Sequence, residues 1–179
     1  KKEGKESAVI SFHPHPSVVL KNSTENVRYI TTLEEKQAIL ENMGVNRLYI
    51  ITFNKELSKL SPETFIDHFI VGLNITHLVA GFDYTFGHKG AGNMENIDQM
   101  AKGRFSTTVV EKLDYANEKI SSTRIRQLLN NGDVHDLYPI LGRYYEATGT
   151  VVRGDRRGGS QLGFPTANID IPKDKHLPK

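Results

Sequence analysis

His77-Leu78-Val79-Ala80-Gly81-Phe82-Asp83-Tyr84-Thr85-Phe86-Gly87-His88-Lys89-Gly90-Ala91-Gly92 is the stretch on which the reading of the fold turns. The apolar run His77–Gly81 has the length of a buried strand. It breaks into a loop with four glycines and three aromatics. A helical pattern follows from Asn93 to Lys102, with Gly103 placed to cap it, and Thr107–Glu111 then reads as another strand. The unit is therefore strand, glycine-rich loop, helix, strand.

Working outward, the same alternation recurs. Ala8–Phe12 is an apolar run closed by Pro14 and Pro16, which predicts a strand leading into a loop. Thr32-Leu33-Glu34-Glu35 is a capping box, in which a hydroxyl and a carboxylate three residues apart satisfy each other's orphan amides. Leu33, Ile39, Leu40 and Met43 continue that helix and Gly44 stops it. Leu48–Phe53 reads as a strand. Ser61-Pro62 starts a helix with proline at its first position, and Phe65, Ile66, Phe69, Ile70 and Leu73 carry it on. Ser121–Asn131 is a helix ended by Gly132, and Val134–Leu141 another. This order predicts an α/β domain with a parallel sheet covered on both faces, Rossmann-like and doubly wound. Ligands in such sheets sit beyond the carboxyl ends of the strands.

The texture changes near Gly142. Thr148–Val152 and Ala167–Ile171 read as strands flanking a Gly/Arg loop, with no helical period between them. The expected division is a first domain over 1–143 and a β-rich second domain beginning over 144–179. Both ends fall in mid-pattern, so the expectation is a chain that continues on both sides.

Among the 179 residues, 37% are hydrophobic and 25% charged, the composition of a globular protein. No apolar run approaches the roughly 18 residues needed to span a bilayer, so no membrane is expected. The charged start Lys1–Glu6 has no apolar stretch behind it, unlike a secretory signal. A formal net charge of +2 gives no argument for nucleic acid. With no cysteine, disulfides, thiolate metal sites and a cysteine nucleophile are excluded. The expected setting is cytoplasmic, as a monomer or weak homo-oligomer.

Three segments fall at strand ends. In Ser11-Phe12-His13-Pro14-His15-Pro16, two imidazoles on a stiff turn can bind metal or orient a phosphate, or simply cap the loop. Without a third ligand in reach, zinc is not supported. In Gly81–Gly92 the glycines allow close backbone approach to a ligand, while Phe82, Tyr84 and Phe86 offer stacking faces. Asp83 is suited to a ribose, a base or a metal. The competing reading has the aromatics packed onto the sheet, and the spacing does not match G-x-G-x-x-G. In Ile120-Ser121-Ser122-Thr123-Arg124-Ile125-Arg126, capping hydroxyls, unpaired amides and the positive end of a helix make an anion site. Arg124 and Arg126 add forked donors for phosphate oxygens; the alternative is ordinary capping by Ser121 or Ser122, with solvated arginines.

In the tail, Gly154–Asn168 forms a basic, glycine-rich loop without a P-loop ending. Arg156 and Arg157 suit phosphates, and Thr166 and Asn168 offer hard oxygen ligands for Mg²⁺; the alternative is a mobile β-hairpin connection with a solvated charge cluster. No catalytic triad or carboxylate pair stands out. Positioning and charge stabilisation of a phosphate ester is the chemistry these residues fit best.

Together and in this order, the segments resemble the prokaryotic bifunctional riboflavin kinase/FAD synthetase (FMN adenylyltransferase) family through essentially the whole chain. Ser11–Pro16 resembles its F-x-P-H-P segment. Gly81–Gly92 is similar to its G-x-D-F-x-F-G-x-x-x-x-G loop, with Tyr84 where Phe is usual. Ile120–Arg126 resembles I-S-S-T-x-I-R, and Gly163–Asn168 resembles the G-F-P-T-A-N signature of riboflavin kinases.

The resemblance implies a nucleotidyltransferase domain followed by the start of a β-barrel kinase domain. It implies that FMN attacks the α-phosphate of ATP, giving FAD and pyrophosphate with Mg²⁺, and that the second domain phosphorylates riboflavin to FMN. By position, Ser122, Thr123, Arg124 and Arg126 would hold ATP phosphates. Phe12, Gly81, Asp83, Phe86 and Gly87 would line the nucleotide and flavin pocket. His13 and His15, with Arg126, would lie near the reacting groups. Gly154, Thr166 and Asn168 would contact Mg-ATP in the second domain, the last two as metal ligands. The family's G-x-F-D-G-x-H-x-G-H motif, expected before Lys1, does not occur in the sequence, which implies a poor enzyme as the chain stands. Other readings are adenylyl transfer to a different small acceptor, or nucleotide or flavin binding without catalysis.

Overall fold

A computed structural model describes residues 4–20, 27–153 and 167–179. Strand β1 (Ala8–His13) leads to a short helix α1 (Pro16–Leu20), then α2 (Leu33–Asn42), β2 (Arg47–Thr52) and α3 (Pro62–Phe65). Next come β3 (His77–Gly81), β4 (Thr85–Phe86), β5 (Gly92–Asn93), α4 (Ile97–Ala101) and β6 (Ser106–Val110). A hairpin of β7 (Asp114–Tyr115) and β8 (Glu118–Lys119) precedes α5 (Ser122–Asn131), α6 (Leu137–Leu141), β9 (Thr150–Val152) and β10 (Asn168–Asp170). The chain divides into two compact units. One comprises Lys1–Val9, Glu25–Leu48 and Ile120–Lys179, the other Ile10–Thr24 and Tyr49–Lys119.

Two parallel pairings carry the α/β character. Arg47 N–H donates to Ser7 O and Phe53 N–H to His13 O, so β2 runs alongside β1 in the same direction. Strands β3 and β6 pair in parallel from His77 opposite Ser106 to Gly81 opposite Val110. The expected cover on both faces is corrected. Leu78 and Ala80 pack against the core, whereas His77, Val79 and Val110 on the alternate positions are exposed. Side chains alternate across a strand, so among the described residues this pair buries one face only. On the open face His77 hydrogen-bonds across to Ser106 Oγ (2.7 Å) and Thr108 Oγ1 (3.0 Å).

The second unit's core gathers Phe65, Ile66, Ile70, Phe86, Met94, Ile97, Ala101 and Phe105. Ser61 starts α3 as its neighbours predict, its Oγ accepting from Thr64 N–H (3.1 Å). The helix then continues over Ile66–Val71 in π-helical form, with Gly72 N–H bonded to Asp67 O five residues back. Ile66 and Ile70 are fully buried by this turn.

Helix α4 starts later than the expected Asn93. Asn93 Oδ1 accepts from the amides of Glu95 and Asn96, while Asn96 Oδ1 accepts from Asn93 N–H. These side chains compete with helical bonding, so the helix begins only at Ile97. A smaller correction applies after β1: Pro16 opens a helical turn where a loop was expected.

In the first unit, α2 has both halves of the capping box. Thr32 Oγ1 accepts from Glu35 N–H and Glu35 Oε2 from Thr32 N–H. None of its residues is fully buried, and Met43 is exposed. Helix α5 packs Ile125 and Leu129 against Leu137 and Ile140 of α6. Lys175, near the end of the chain, is 2% exposed and donates to Glu35 Oε2 (2.6 Å) and Ile30 O (2.8 Å), with Tyr145 beneath its ammonium. Strands β9 and β10 pair antiparallel, Asn168 opposite Val152.

Candidate functional site

The start of α5 is built as its sequence predicts. Ser121 is extended (φ −151°, ψ 156°) and its Oγ accepts from Arg124 N–H at 3.2 Å. That leaves Ser122 and Thr123, both exposed, in the first turn, where amides have no intrahelical acceptor. Ile125 is buried, and the half-buried Arg124 and Arg126 stand on either side of it in sequence. Arg126 Nη1 lies 3.1 Å from His176 Nδ1. The turn thus combines amides, hydroxyls and guanidinium groups, the donor set for an anionic ester.

The glycine-rich loop is more tightly packed than an open cradle. Strands β4 and β5 form a hairpin with Phe86 opposite Gly92. Phe86 is buried, 5.5 Å from Phe65 and 5.7 Å from Tyr84 between ring centroids. A Cβ on Gly92 would stand 2.4 Å from the Phe86 ring. Gly87 has φ 73° and no room beside Pro62. These glycines admit an aromatic side chain and the start of α3. Burial pushes the Tyr84 phenol up to about 12.

Of the loop's three aromatics, only Phe82 is exposed. Lys119 Nζ lies 4.7 Å from its ring centroid and donates to Asp83 Oδ2 at 2.8 Å. The hydrogen bond from Lys119 holds the exposed Asp83 carboxyl below the usual carboxylate range. Lys119 escaped the sequence reading because it is 36 residues away, on a hairpin with no Gly-containing turn dipeptide. Ala116 and Asn117 supply its positive φ values, 53° and 62°.

At the end of β1, Phe12 packs edge-on to Phe53 and also against Phe65, which itself contacts Phe86. His13 is half-buried and precedes a cis proline bond. The exposed His15 caps α1: its Nδ1 accepts from Ser17 N–H (3.2 Å) and lies 2.8 Å from Ser17 Oγ. Phe12, His13, His15, Gly81, Asp83, Phe86 and Gly87 share one unit; Ser122, Thr123, Arg124, Arg126 and Asn168 belong to the other.

Asn168 is exposed at the start of β10. Gly154 and Thr166, like Arg156, Arg157 and Gly163–Pro165, lie outside the described residues. Among the described residues no three His, Asp or Glu side chains converge as a metal site. Amide and hydroxyl oxygens are hard donors that fit Mg²⁺ carried largely by nucleotide phosphates, the usual manner of its binding. Among the same residues no helix is long and apolar enough to cross a membrane.

His176 is the second residue that the sequence reading missed. Its Nε2 lies 3.1 Å from Asn130 Oδ1, one turn beyond Arg126 on α5. Nothing in its local sequence marks it, since its partners are 46 and 50 residues away.

Comparison with known proteins adds the family. The FAD synthetase family model matches residues 1–124, and the riboflavin kinase model residues 141–179. A bifunctional riboflavin kinase/FMN adenylyltransferase of Listeria monocytogenes is 44% identical over 177 residues, 99% of this chain and 56% of that protein. The protein of the same description from Bacillus subtilis (strain 168) is 44% identical over 171 residues, 96% of this chain and 54% of that one. A Listeria monocytogenes FAD synthetase is 30% identical over 92% of this chain and 68% of its own length. The chain spans about half the length of the two bifunctional relatives. A crystal structure of a macrolide-efflux protein from Streptococcus pneumoniae has a TM-score of 0.87 at 29% identity, over 99% of this chain and 57% of that one. Matched over residues 1–124 by the family model, the chain belongs to the FAD synthetase family.

Proposed function

We propose that the chain is part of a bifunctional enzyme of FAD biosynthesis. Its first domain, 1–143, transfers AMP from ATP to FMN, and its second, beginning at 144, belongs to a riboflavin kinase. The division follows the change of texture near Gly142 and is supported by the separate family matches on either side of it. In this reading the parallel pairs belong to a Rossmann-like nucleotidyltransferase fold, and β9 and β10 open a kinase barrel. The substrates are ATP, FMN and riboflavin in a cytoplasmic setting.

The observation that carries the reading is the start of α5. Ser121 caps the helix, and Ser122, Thr123, Arg124 and Arg126 gather donors about its positive end. In the reaction, a phosphate oxygen of FMN attacks the α-phosphorus of ATP. The bond to the bridging oxygen breaks, and pyrophosphate leaves with the electron pair. Negative charge grows on the transferred group and the leaving oxygens, where preorganised donors lower the barrier. Arg126 is assigned to that charge, and Ser122, Thr123 and Arg124 to the ATP phosphates. Phe12, Gly81, Asp83, Phe86 and Gly87 are assigned to the nucleotide and flavin side. Phe86 acts there by supporting Tyr84 and the hairpin, because its ring is buried. His13 and His15 are assigned positions near the reacting phosphates.

Mg²⁺, when bound, supplies charge neutralisation on the phosphates. Asn168, with Gly154 and Thr166, is assigned to the Mg-ATP of the kinase.

The test is to incubate the full-length parent with riboflavin, ATP and Mg²⁺ and to separate FMN from FAD by chromatography. Arg126→Ala is expected to lower FAD formation while sparing FMN formation; Asn168→Ala is expected to lower FMN formation from riboflavin while sparing FAD formation when FMN is supplied in its place. Formation of neither product by the unaltered parent overturns the reading.

A further inference from the structure

The segment at the end of the chain touches the helix assigned to ATP. His176 N–H donates to Tyr29 O (2.9 Å), its carbonyl accepts from the Tyr145 hydroxyl, and the preceding Lys175 is buried against Glu35. The backbone that carries His176 is thus held on three sides. Its imidazole bridges Asn130 and Arg126, both on α5.

The proton on that ring is decided by its partners. A guanidinium only donates, so Nδ1, at 3.1 Å from Arg126 Nη1, offers its lone pair. Nε2 then carries the hydrogen, which the Asn130 carbonyl oxygen accepts at 3.1 Å. The neutral tautomer is therefore the one that fits both contacts. One Arg126 donor is engaged, and a guanidinium has five, so the fork retains donors for phosphate oxygens.

We infer that His176 is a positioning residue for Arg126, orienting its guanidinium toward a nucleotide phosphate. The inference rests on the reading of Arg126 as a phosphate ligand. A long arginine side chain loses several rotamers when it is fixed. A group that fixes it beforehand removes that cost from binding. The segment assigned to the riboflavin kinase thereby supplies a working part of the adenylyl-transfer site, within one unit of the fold.

Proton uptake by the imidazole removes the acceptor and places a second cation against Arg126. The charged groups bearing on His176 are Arg126 on α5, Arg28, its neighbour Lys175 and Lys179. All are cationic, and together with burial they hold its pKa below the ordinary histidine value.

The experiment measures Mg-ATP binding to the 179-residue chain by calorimetry. Arg126→Ala is expected to weaken binding roughly tenfold, the scale of a lost charge-assisted contact. His176→Phe, which keeps the ring but not the acceptor, is expected to weaken it roughly threefold to tenfold. His176→Asn, whose amide oxygen can take the place of Nδ1, is expected to restore it to within about twofold of the unaltered chain. The ratio of affinities, unaltered over His176→Asn, should fall between pH 8 and pH 5.5, because nucleotide protonation is common to both proteins.

If Arg126→Ala binds as well as the unaltered chain, or the unaltered chain does not bind, the phosphate reading fails and the inference with it. If Arg126→Ala weakens binding but His176→Phe does not, the inference alone is overturned. A ratio that is flat with pH, or failure of His176→Asn to restore affinity, also overturns it. Should His176→Phe not fold, Asn130→Ala serves instead: it releases Nε2, and unchanged affinity in that variant counts against the inference.

Discussion

Lys175 Nζ lies 2.6 Å from Glu35 Oε2, joining residues 140 positions apart through side chains only 1% and 11% exposed. The same carboxylate oxygen accepts from Thr32 N–H, so one atom completes a helix cap and a buried ion pair. Among the described residues the other oxygen, Oε1, is buried and has no hydrogen-bond partner.

Removing one member of such a pair leaves a charge in a place that water does not reach. Lys175→Met is expected to destabilise the fold by about 3 kcal/mol. Adding Glu35→Gln should recover part of that loss, because the amide keeps the cap while removing the charge. Denaturant unfolding of both single variants and the double variant checks this; additive losses would contradict the coupling.

Gly92→Ala should be destabilising through contact with Phe86, since the added methyl would stand 2.4 Å from the ring. Overpacking of this kind costs about 2 kcal/mol. Phe86→Ala should cost about 3 kcal/mol by opening a cavity in the core. With both changes the methyl meets no ring, so the sum of the single effects should exceed the measured loss. Thermal unfolding of the three variants decides the matter.

How much of this was legible beforehand follows the reach of each interaction. The caps at Thr32, Ser61 and Ser121 are contacts three residues long; the sequence predicts the first two where they stand and narrows the third to Ser121 or Ser122. Asn93 and Asn96 misled the reading for a local reason, because their amides can close a turn as well as enter a helix. The pairings of Lys175 with Glu35 and of His176 with Arg126 leave no local periodicity or spacing behind them. At the candidate site the helix start was legible to within one residue, the cap lying at Ser121 or Ser122 in the sequence and at Ser121 in the structure. The burial of Phe86 was not, since an aromatic beside glycines fits a ligand platform and a core plug equally well.

His176 gives the stability a pH dependence of defined sign. Its folded pKa is lowered, first by burial and then by Arg126 and the other cations. Between that value and about 6.5, the ordinary histidine value, the unfolded chain binds more proton than the folded one. Stability from this group is therefore full above about pH 6.5 and declines as pH falls through the window. The melting temperature of the unaltered chain, measured relative to that of His176→Asn, should fall from neutral pH to pH 5.5. A parallel pair of curves would exclude the linkage.

Two of the seven tyrosines should titrate late. Burial raises the Tyr84 phenol to about 12, and burial with the nearby Glu35 charge raises Tyr145 to about 12. In an alkaline ultraviolet titration, Tyr84→Phe and Tyr145→Phe should each remove amplitude from the last step and leave the earlier phase unchanged. Loss from the earlier phase would contradict their burial.

The capping carboxylate of α2 also carries a consequence in time. A nascent chain leaves the ribosome from its N-terminus, and domains form as their residues emerge. Glu35 is exposed to the cell long before Lys175 is joined to the chain, whereas the stretch from Tyr49 to Lys119 is already complete. The cap of this early helix thus waits for a partner made 140 residues later, and during that interval the Glu35 side chain is within reach of water and of any chaperone at the tunnel exit.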